Sequence, residues 1–226
     1  MGPDLFIWIL TGKCNLSCPH CYAKRFRGEE EMGIDEEFAE KQRRIIELYR
    51  RLGIYESCTC TPYLVGNVAT RGQHLAWSES SAVVFANSFF GARTNREGGP
   101  TALAAAIIGK TPHYGLHIEE NRIPTVEVVC NFEKTLADVD YALIGIYTGR
   151  TVGTAIPVIR GLENLIVTHH KLMGAGMGAS GAVPLYHILG VTPESDLYDP
   201  DAIEDRIEID DDLLREMREE YYSGDV

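Results

Sequence analysis

Residues 101–147, TALAAAIIGKTPHYGLHIEENRIPTVEVVCNFEKTLADVDYALIGIY, carry the reading that decides the fold class. Thr101–Ile108 reads as a helix, with Pro100 at its start, where a missing N–H costs nothing, and Gly109 at its stop. Thr125–Cys130 is short, apolar and rich in β-branched residues, and reads as a strand. Ala142–Tyr147 is a second short apolar run and reads the same way. Working outward, Ser80–Phe90 reads as a helix, and Gly91–Gly99 as a polar, glycine-rich loop. Cys58–Gly72 is loop-like, with Pro62, Gly66 and Asn67. Asp35–Leu52 is a clear helix: Phe38, Ile45, Ile46, Leu48, Tyr49 and Leu52 keep helical spacing and Gly53 ends it. Downstream, Leu165–Thr168 and Val183–Ile188 read as strands. Gly174–Gly181 reads as a tight turn or a close packing contact, and Asp210–Tyr222 as a charged terminal helix. Leu5–Leu10 reads as a buried strand. Strands alternating with helices argue for an α/β fold with mixed or parallel sheets flanked by helices.

The totals bound the function classes. A chain of 226 residues suffices for one large domain or two small ones. The formal net charge of -12 opposes nucleic-acid backbones, so no nucleic-acid partner is expected. No apolar run approaches the ~20 residues of a membrane span, and Leu5–Leu10 does not read as a signal peptide. The expectation is a cytoplasmic protein without a membrane partner. Its six cysteines are then better suited to metal or redox chemistry than to a disulfide framework.

Cys14, Cys18 and Cys21 form C-x3-C-x2-C. Three thiolates on one short loop can hold three irons of a cubane cluster and leave the fourth iron open. A zinc knuckle completed by His20, or idle thiols, are the plainer readings. With the apolar strand before it and Tyr22 after it, the stretch from Leu5 to about Arg27 resembles the cluster loop of radical SAM enzymes. That resemblance implies a [4Fe-4S] cluster whose free iron chelates S-adenosylmethionine. No matching glycine-rich cofactor motif follows downstream. Gly28–Gly33 reads as a linker, which divides the chain into 1–28 and 29–226.

Four polar groupings follow. Cys58 and Cys60 sit in a loop beside Thr59, Thr61 and Pro62, as metal ligands or as a buried structural pair. In Trp77-Ser78-Glu79-Ser80-Ser81, a carboxylate among hydroxyls serves acid–base chemistry or caps a helix, or Ser80 or Ser81 caps the helix that follows. Arg93, Asn95, Arg96 and Glu97 lie in a loop that feeds a helix N-terminus, which suits a phosphate or carboxylate; a solvated charged loop is the alternative. Lys110, His113, His117, Glu119, Glu120, Asn121 and Arg122 form the last group. Pro112 and Gly115 argue against His113 and His117 sharing a helical face as a metal pair. Cys130 reads as a buried apolar cysteine, and His169 and His170 as structural or solvated.

Three blocks, GIDEEFAEKQRRIIELYRRLG (33–53), CTCTPYLVGN (58–67) and HLAWSESSAVVFANSFFGARTNREGGPTALAAAIIGKTPHYGLHIEENR (74–122), resemble aconitase X, and GASGAVPLYHILGVTPES (178–195) does so less sharply. The resemblance implies a partial aconitase-X-like catalytic domain. It implies an iron–sulfur hydro-lyase that dehydrates a small hydroxylated anion, with Cys60, and Cys58 as second choice, binding a [4Fe-4S] cluster to which Cys14, Cys18 and Cys21 are further candidate ligands. Glu79, Ser80 and Ser81 become candidate catalytic residues, and Ser78, Arg93, Asn95, Arg96, Glu97 and Lys110 candidate substrate-binding residues. The family's substrate classes are 5-phosphomevalonate, in isoprenoid synthesis through mevalonate, and cis-3-hydroxyproline. The Thr-Pro-Tyr-Leu-Val-Gly-Asn run after Cys60 favours the former, whose enzymes pair with a small swivelling subunit. The family's chain is longer than this one, so a fusion, a rearranged gene or an inactive fragment is also expected, beside the radical SAM alternative.

Overall fold

The computed structural model describes residues 36–54, 57–199 and 202–223. Within them lie six helices, α1 (Glu36–Arg51), α2 (Ser80–Ser88), α3 (Gly99–Ile108), α4 (Asp138–Val152), α5 (Val167–Ser180) and α6 (Asp211–Ser223), and four strands, β1 (Val126–Asn131), β2 (Pro157–Arg160), β3 (His187–Ile188) and β4 (Arg206–Asp210). The strands form one sheet in the order β3-β2-β1-β4, and every pairing is parallel. Parallel strands need crossover connections. Here α4 links β1 to β2, and α5 links β2 to β3. The α/β class with a parallel, helix-flanked sheet is therefore what the chain adopts.

The main core lies between the sheet and three helices. Val128, Ile159, Ile188 and Ile209 come from the strands; Ile144 from α4, Met173 and Met177 from α5, and Leu214 and Met217 from α6 meet them. A second core gathers Tyr63, Trp77, Val83, Phe85 and Ala92 around α2. α5 packs against both α4 and α2, and so joins the two cores.

Several expectations are corrected. Ala142–Tyr147 lies inside α4 and not in a strand. Residues 140–146 are all buried, so the helix has no polar face there to betray its period, and a short apolar run cannot tell a strand from a buried helix. Leu165–Thr168 is not a strand; Val167 and Thr168 open α5. Of Val183–Ile188, only His187 and Ile188 pair with a neighbouring strand. Gly174–Gly181 is helical through Ser180 and makes no turn; its close-packing alternative is what the chain uses. A Cβ on Gly176 would stand 2.7 Å from the Ala142 carbonyl oxygen, and one on Gly145 would stand 2.3 Å from that of Met173. Glycine there lets α4 and α5 approach backbone to backbone. β2 and β4 lack a clear strand pattern in the sequence: β2 is four residues opened by a proline, and β4 (RIEID) alternates with charged residues.

The strand expected at Leu5–Leu10, the Cys14–Cys21 loop and the 28/29 boundary lie outside the described residues.

Candidate functional site

Two extended segments, residues 72–77 and 91–97, run side by side. Gly72 N–H donates to the Gly91 carbonyl (2.8 Å), Arg93 N–H to Gln73 (2.8 Å), Leu75 N–H to Arg93 (2.9 Å) and Glu97 N–H to Trp77 (3.1 Å). The Trp77 N–H also donates to the Thr94 hydroxyl (3.1 Å). This ladder delivers the starts of α2 and α3 to one place, because α2 begins just past Trp77 and α3 just past Glu97.

The cap of α2 is the Glu79 carboxylate, and not Ser80 or Ser81. Its carboxylate accepts from the Ala82 N–H and from the Ser81 hydroxyl, each at 2.6 Å. A carboxylate answers the helix's unpaired N–H groups and its positive end together, which a serine cap does less well. α3 is capped by Gly98, with the Thr101 hydroxyl donating to the Gly98 carbonyl (2.9 Å).

Arg96 is exposed and reaches the last turns of α5, where its Nη2 donates to the Gly178 carbonyl (3.3 Å). A Cβ on Gly178 would lie 3.5 Å from the Ser80 carbonyl oxygen, so α5 touches the first residue of α2 at that glycine. Ser78, Glu79, Ser80, Ser81, Arg96 and Glu97 are thereby drawn to one face. The Glu79 carboxylate already occupies the start of α2, whereas the start of α3 has no side-chain cap, so Arg96 beside the α3 N-terminus is a donor set suited to an anion.

Three other candidates are not brought there. The Asn95 side chain accepts from Leu116 N–H (2.8 Å) and donates to the Tyr114 carbonyl (3.1 Å). It lies against Gly115, whose φ of +58° and lack of a side chain let the turn close over it. Arg93 points to the same turn, toward the His117 carbonyl (3.5 Å), Glu119 (3.4 Å) and Glu194 (3.9 Å). Lys110 lies past the far end of α3, a ten-residue helix and so about 15 Å long.

Beneath that turn is a network the sequence reading did not assemble. Arg122 is fully buried, and its Nε and Nη2 donate to Glu194 Oε2 at 2.9 and 2.5 Å. It also donates to the carbonyls of Leu116 (3.2 Å) and Asn87 (3.2 Å). Asn87 in turn donates to the carbonyls of Thr94 and Pro184, both at 2.9 Å. His187 donates from Nε2 to the Arg122 carbonyl (2.9 Å), and burial above all lowers its pKa. Arg122 had been singled out in a polar group. Glu194, 72 residues away, sits in a Pro-Glu-Ser turn that carries no local mark of a buried partner.

His170 is nearly fully buried against Phe89 and 3.0 Å from the Tyr186 hydroxyl, a structural position. Burial first, then the neighbouring His169, pulls its pKa down to about 4. Below the ordinary histidine value of about 6.5 the unfolded chain takes up a proton that the folded one refuses. Stability is therefore expected to fall as pH drops from about 6.5 to 4. Urea midpoints followed across that window should fall less steeply in His170→Asn than in the parent. His117 and His187, lowered in the same direction, keep their share in both proteins.

Cys58 and Cys60 lie ahead of a short 3-10 turn, Pro62–Val65, that docks on α2 through Tyr63 stacked on Phe85 (centroids 3.8 Å apart, planes at 6°). Cys58 adopts a left-handed φ of +44°, uncommon for a residue with a side chain. Both cysteines carry half-buried thiols outside any disulfide. Cys130 is buried, and its thiol is pushed up to about 12, which leaves it inert. Among the described residues no group of three His, Cys, Asp or Glu side chains is arranged to hold a metal ion. Two thiols fall short of the three or four that iron–sulfur clusters take. The described residues alone therefore do not fit a complete cluster site.

Comparison with known proteins bears on both halves of the chain. The aconitase X first domain matches residues 20–120, and the aconitase X second domain residues 123–219. The phosphomevalonate dehydratase large subunit of Methanothermobacter thermautotrophicus is 51% identical over 195 residues, 86% of this chain and 48% of that protein. Proteins of that name extend down to 36% identity. The cis-3-hydroxy-L-proline dehydratase of Hypocrea jecorina is 35% identical over 76% of this chain. The holo-form crystal structure of Thermococcus kodakaraensis aconitase X shares the fold, with a TM-score of 0.76 and 49% identity over 82% of this chain and 47% of that one. The chain thus spans about half the length of the phosphomevalonate dehydratase large subunits it matches, and 29% of the cis-3-hydroxy-L-proline dehydratase. Matched across both domain patterns and sharing a solved fold at half identity, this chain belongs to the aconitase X family.

Proposed function

We propose that this chain supplies hydro-lyase chemistry of the aconitase X type, with 5-phosphomevalonate as substrate in isoprenoid synthesis. The observation that carries the proposal is the 51% identity, over most of the chain, to a protein named for that reaction. The geometry supports it independently. Removing water from a hydroxylated anion needs the anion held, a proton taken from carbon and hydroxide released. Arg96 and the start of α3 at Gly99 form the anion-holding part. Glu79, kept in one orientation by Ser81 and Ala82, is the proposed acid–base or orienting carboxylate.

Cys60, with Cys58 two residues before it, is the proposed thiolate contribution to an iron–sulfur cluster. Cys14, Cys18 and Cys21 are the chain's further candidates. The relatives' designation as large subunits supports a small-subunit partner. No helix among the described residues is long and apolar enough to cross a membrane, which is consistent with a cytoplasmic place of action.

Calorimetric titration tests the anion-holding part. The chain should bind 5-phosphomevalonate more tightly than cis-3-hydroxyproline. Arg96→Ala should weaken the phosphorylated ligand by about ten- to a hundredfold, the loss of one charge-assisted contact. Unchanged affinity in Arg96→Ala would remove this assignment.

A further inference from the structure

His74 and His117 face each other through their Nδ1 atoms at 2.8 Å, with the rings stacked at a centroid distance of 5.1 Å. Two bare nitrogen lone pairs repel at that distance, and so do two N–H groups; the contact forms only when a single proton lies between them. At 2.8 Å the two nitrogens stand at hydrogen-bond distance, and among the described residues no third metal-ligating side chain joins them. His74 is exposed; His117 is buried, and its Nε2 has no hydrogen-bond partner among the described residues. The two rings come from separate pieces of chain. His74 lies on the 72–77 segment that leads into Ser78, and His117 ends the turn that Asn95 and Arg93 also hold.

We propose that His74 and His117 form a proton-sharing latch that fastens the 114–119 turn to the 72–77 segment and opens when both rings are protonated. One positive charge is tolerated, because it can sit on the exposed His74 ring, where water solvates it. A second must sit on His117, inside the protein. There burial, the His74 charge, and the guanidiniums of Arg122 and Arg93 oppose it, and only Glu97 favours it. With both rings charged, the Nδ1 atoms present two N–H groups to each other and the contact is lost. The turn then keeps its contacts with Asn95, Arg93 and Arg122 and the Asn121 side chain's bond to the Gly115 carbonyl, without the tie to the 72–77 segment.

Amide hydrogen exchange of the intact chain tests the latch, read at Leu116 and Ile118 and corrected for intrinsic pH dependence. In the parent, protection should be present at pH 7 and fall by about tenfold by pH 5, the loss of one hydrogen bond and its replacement by repulsion. His74→Phe keeps a stacking ring but cannot share a proton. It should show the low protection at both pH values, with the exchange of α4 and α5 unchanged. Parent-like protection in His74→Phe at pH 7 would overturn the proposal, since ring packing alone would then hold the turn. So would protection in the parent that does not change between pH 7 and pH 5.

Discussion

Arg122→Ala is expected to destabilise the fold by about 3–5 kcal/mol, the cost of leaving a buried carboxylate without its partner. Arg122 has no exposed surface, and Glu194 is 4% exposed, so water cannot replace the lost contacts. The same change strands the carbonyls of Asn87 and Leu116, which Arg122 now satisfies. Among the described residues it also leaves the Glu194 carboxylate with Arg93 alone, at 3.9 Å. Urea denaturation at pH 7 measures the loss. The double replacement Arg122→Met with Glu194→Leu removes both charges together and should recover much of it, because the desolvation of both ions goes with them. A single replacement no worse than the double would show that the pair is not coupled as the geometry requires.

Gly145→Ala is expected to cost about 3 kcal/mol, at the upper end of overpacking penalties. An ordinary glycine-to-alanine change within a helix is favourable by up to about 1 kcal/mol, so the sign itself is diagnostic. The added methyl would meet backbone, the Met173 carbonyl oxygen at 2.3 Å and its Cα at 2.9 Å, and backbone cannot swing aside as a side chain can. α4 and α5 would have to separate, which opens the main core between them. Thermal unfolding compared with Gly153→Ala would isolate the effect, because nothing lies within 4 Å of a Cβ at Gly153. Its positive φ alone makes that control mildly unfavourable.

These two positions show what could and could not be read from the residues. α3 was legible because Pro100 and Gly109 punctuate it, and α1 because its apolar residues keep helical spacing. α4 was not, because a helix buried on all sides looks locally like a strand. The glycines of α5 suggested a break, yet their effect is exerted on α4, a partner that a single segment does not reveal. β4 was obscured by Arg206, Glu208 and Asp210, whose charges mask the two inward isoleucines of an edge strand. The site divides in the same way. Ser78–Ser81 and Arg96–Glu97 stood out because their chemistry is contiguous in sequence. Arg93 and Asn95 stood out equally, yet serve to pin the 114–119 turn. The Arg122–Glu194 pair and the His74–His117 contact depend on side chains brought together across 72 and 43 residues, which no local pattern records.

The proposed dehydration of 5-phosphomevalonate is tested by following product formation by NMR. The chain would be purified anaerobically with iron and mixed with the small subunit of a phosphomevalonate dehydratase. Loss of water from 5-phosphomevalonate is predicted, with turnover abolished in Cys60→Ala and sharply reduced in Arg96→Ala. No product from this chain, under conditions where a full-length relative turns over with the same small subunit, would contradict the account.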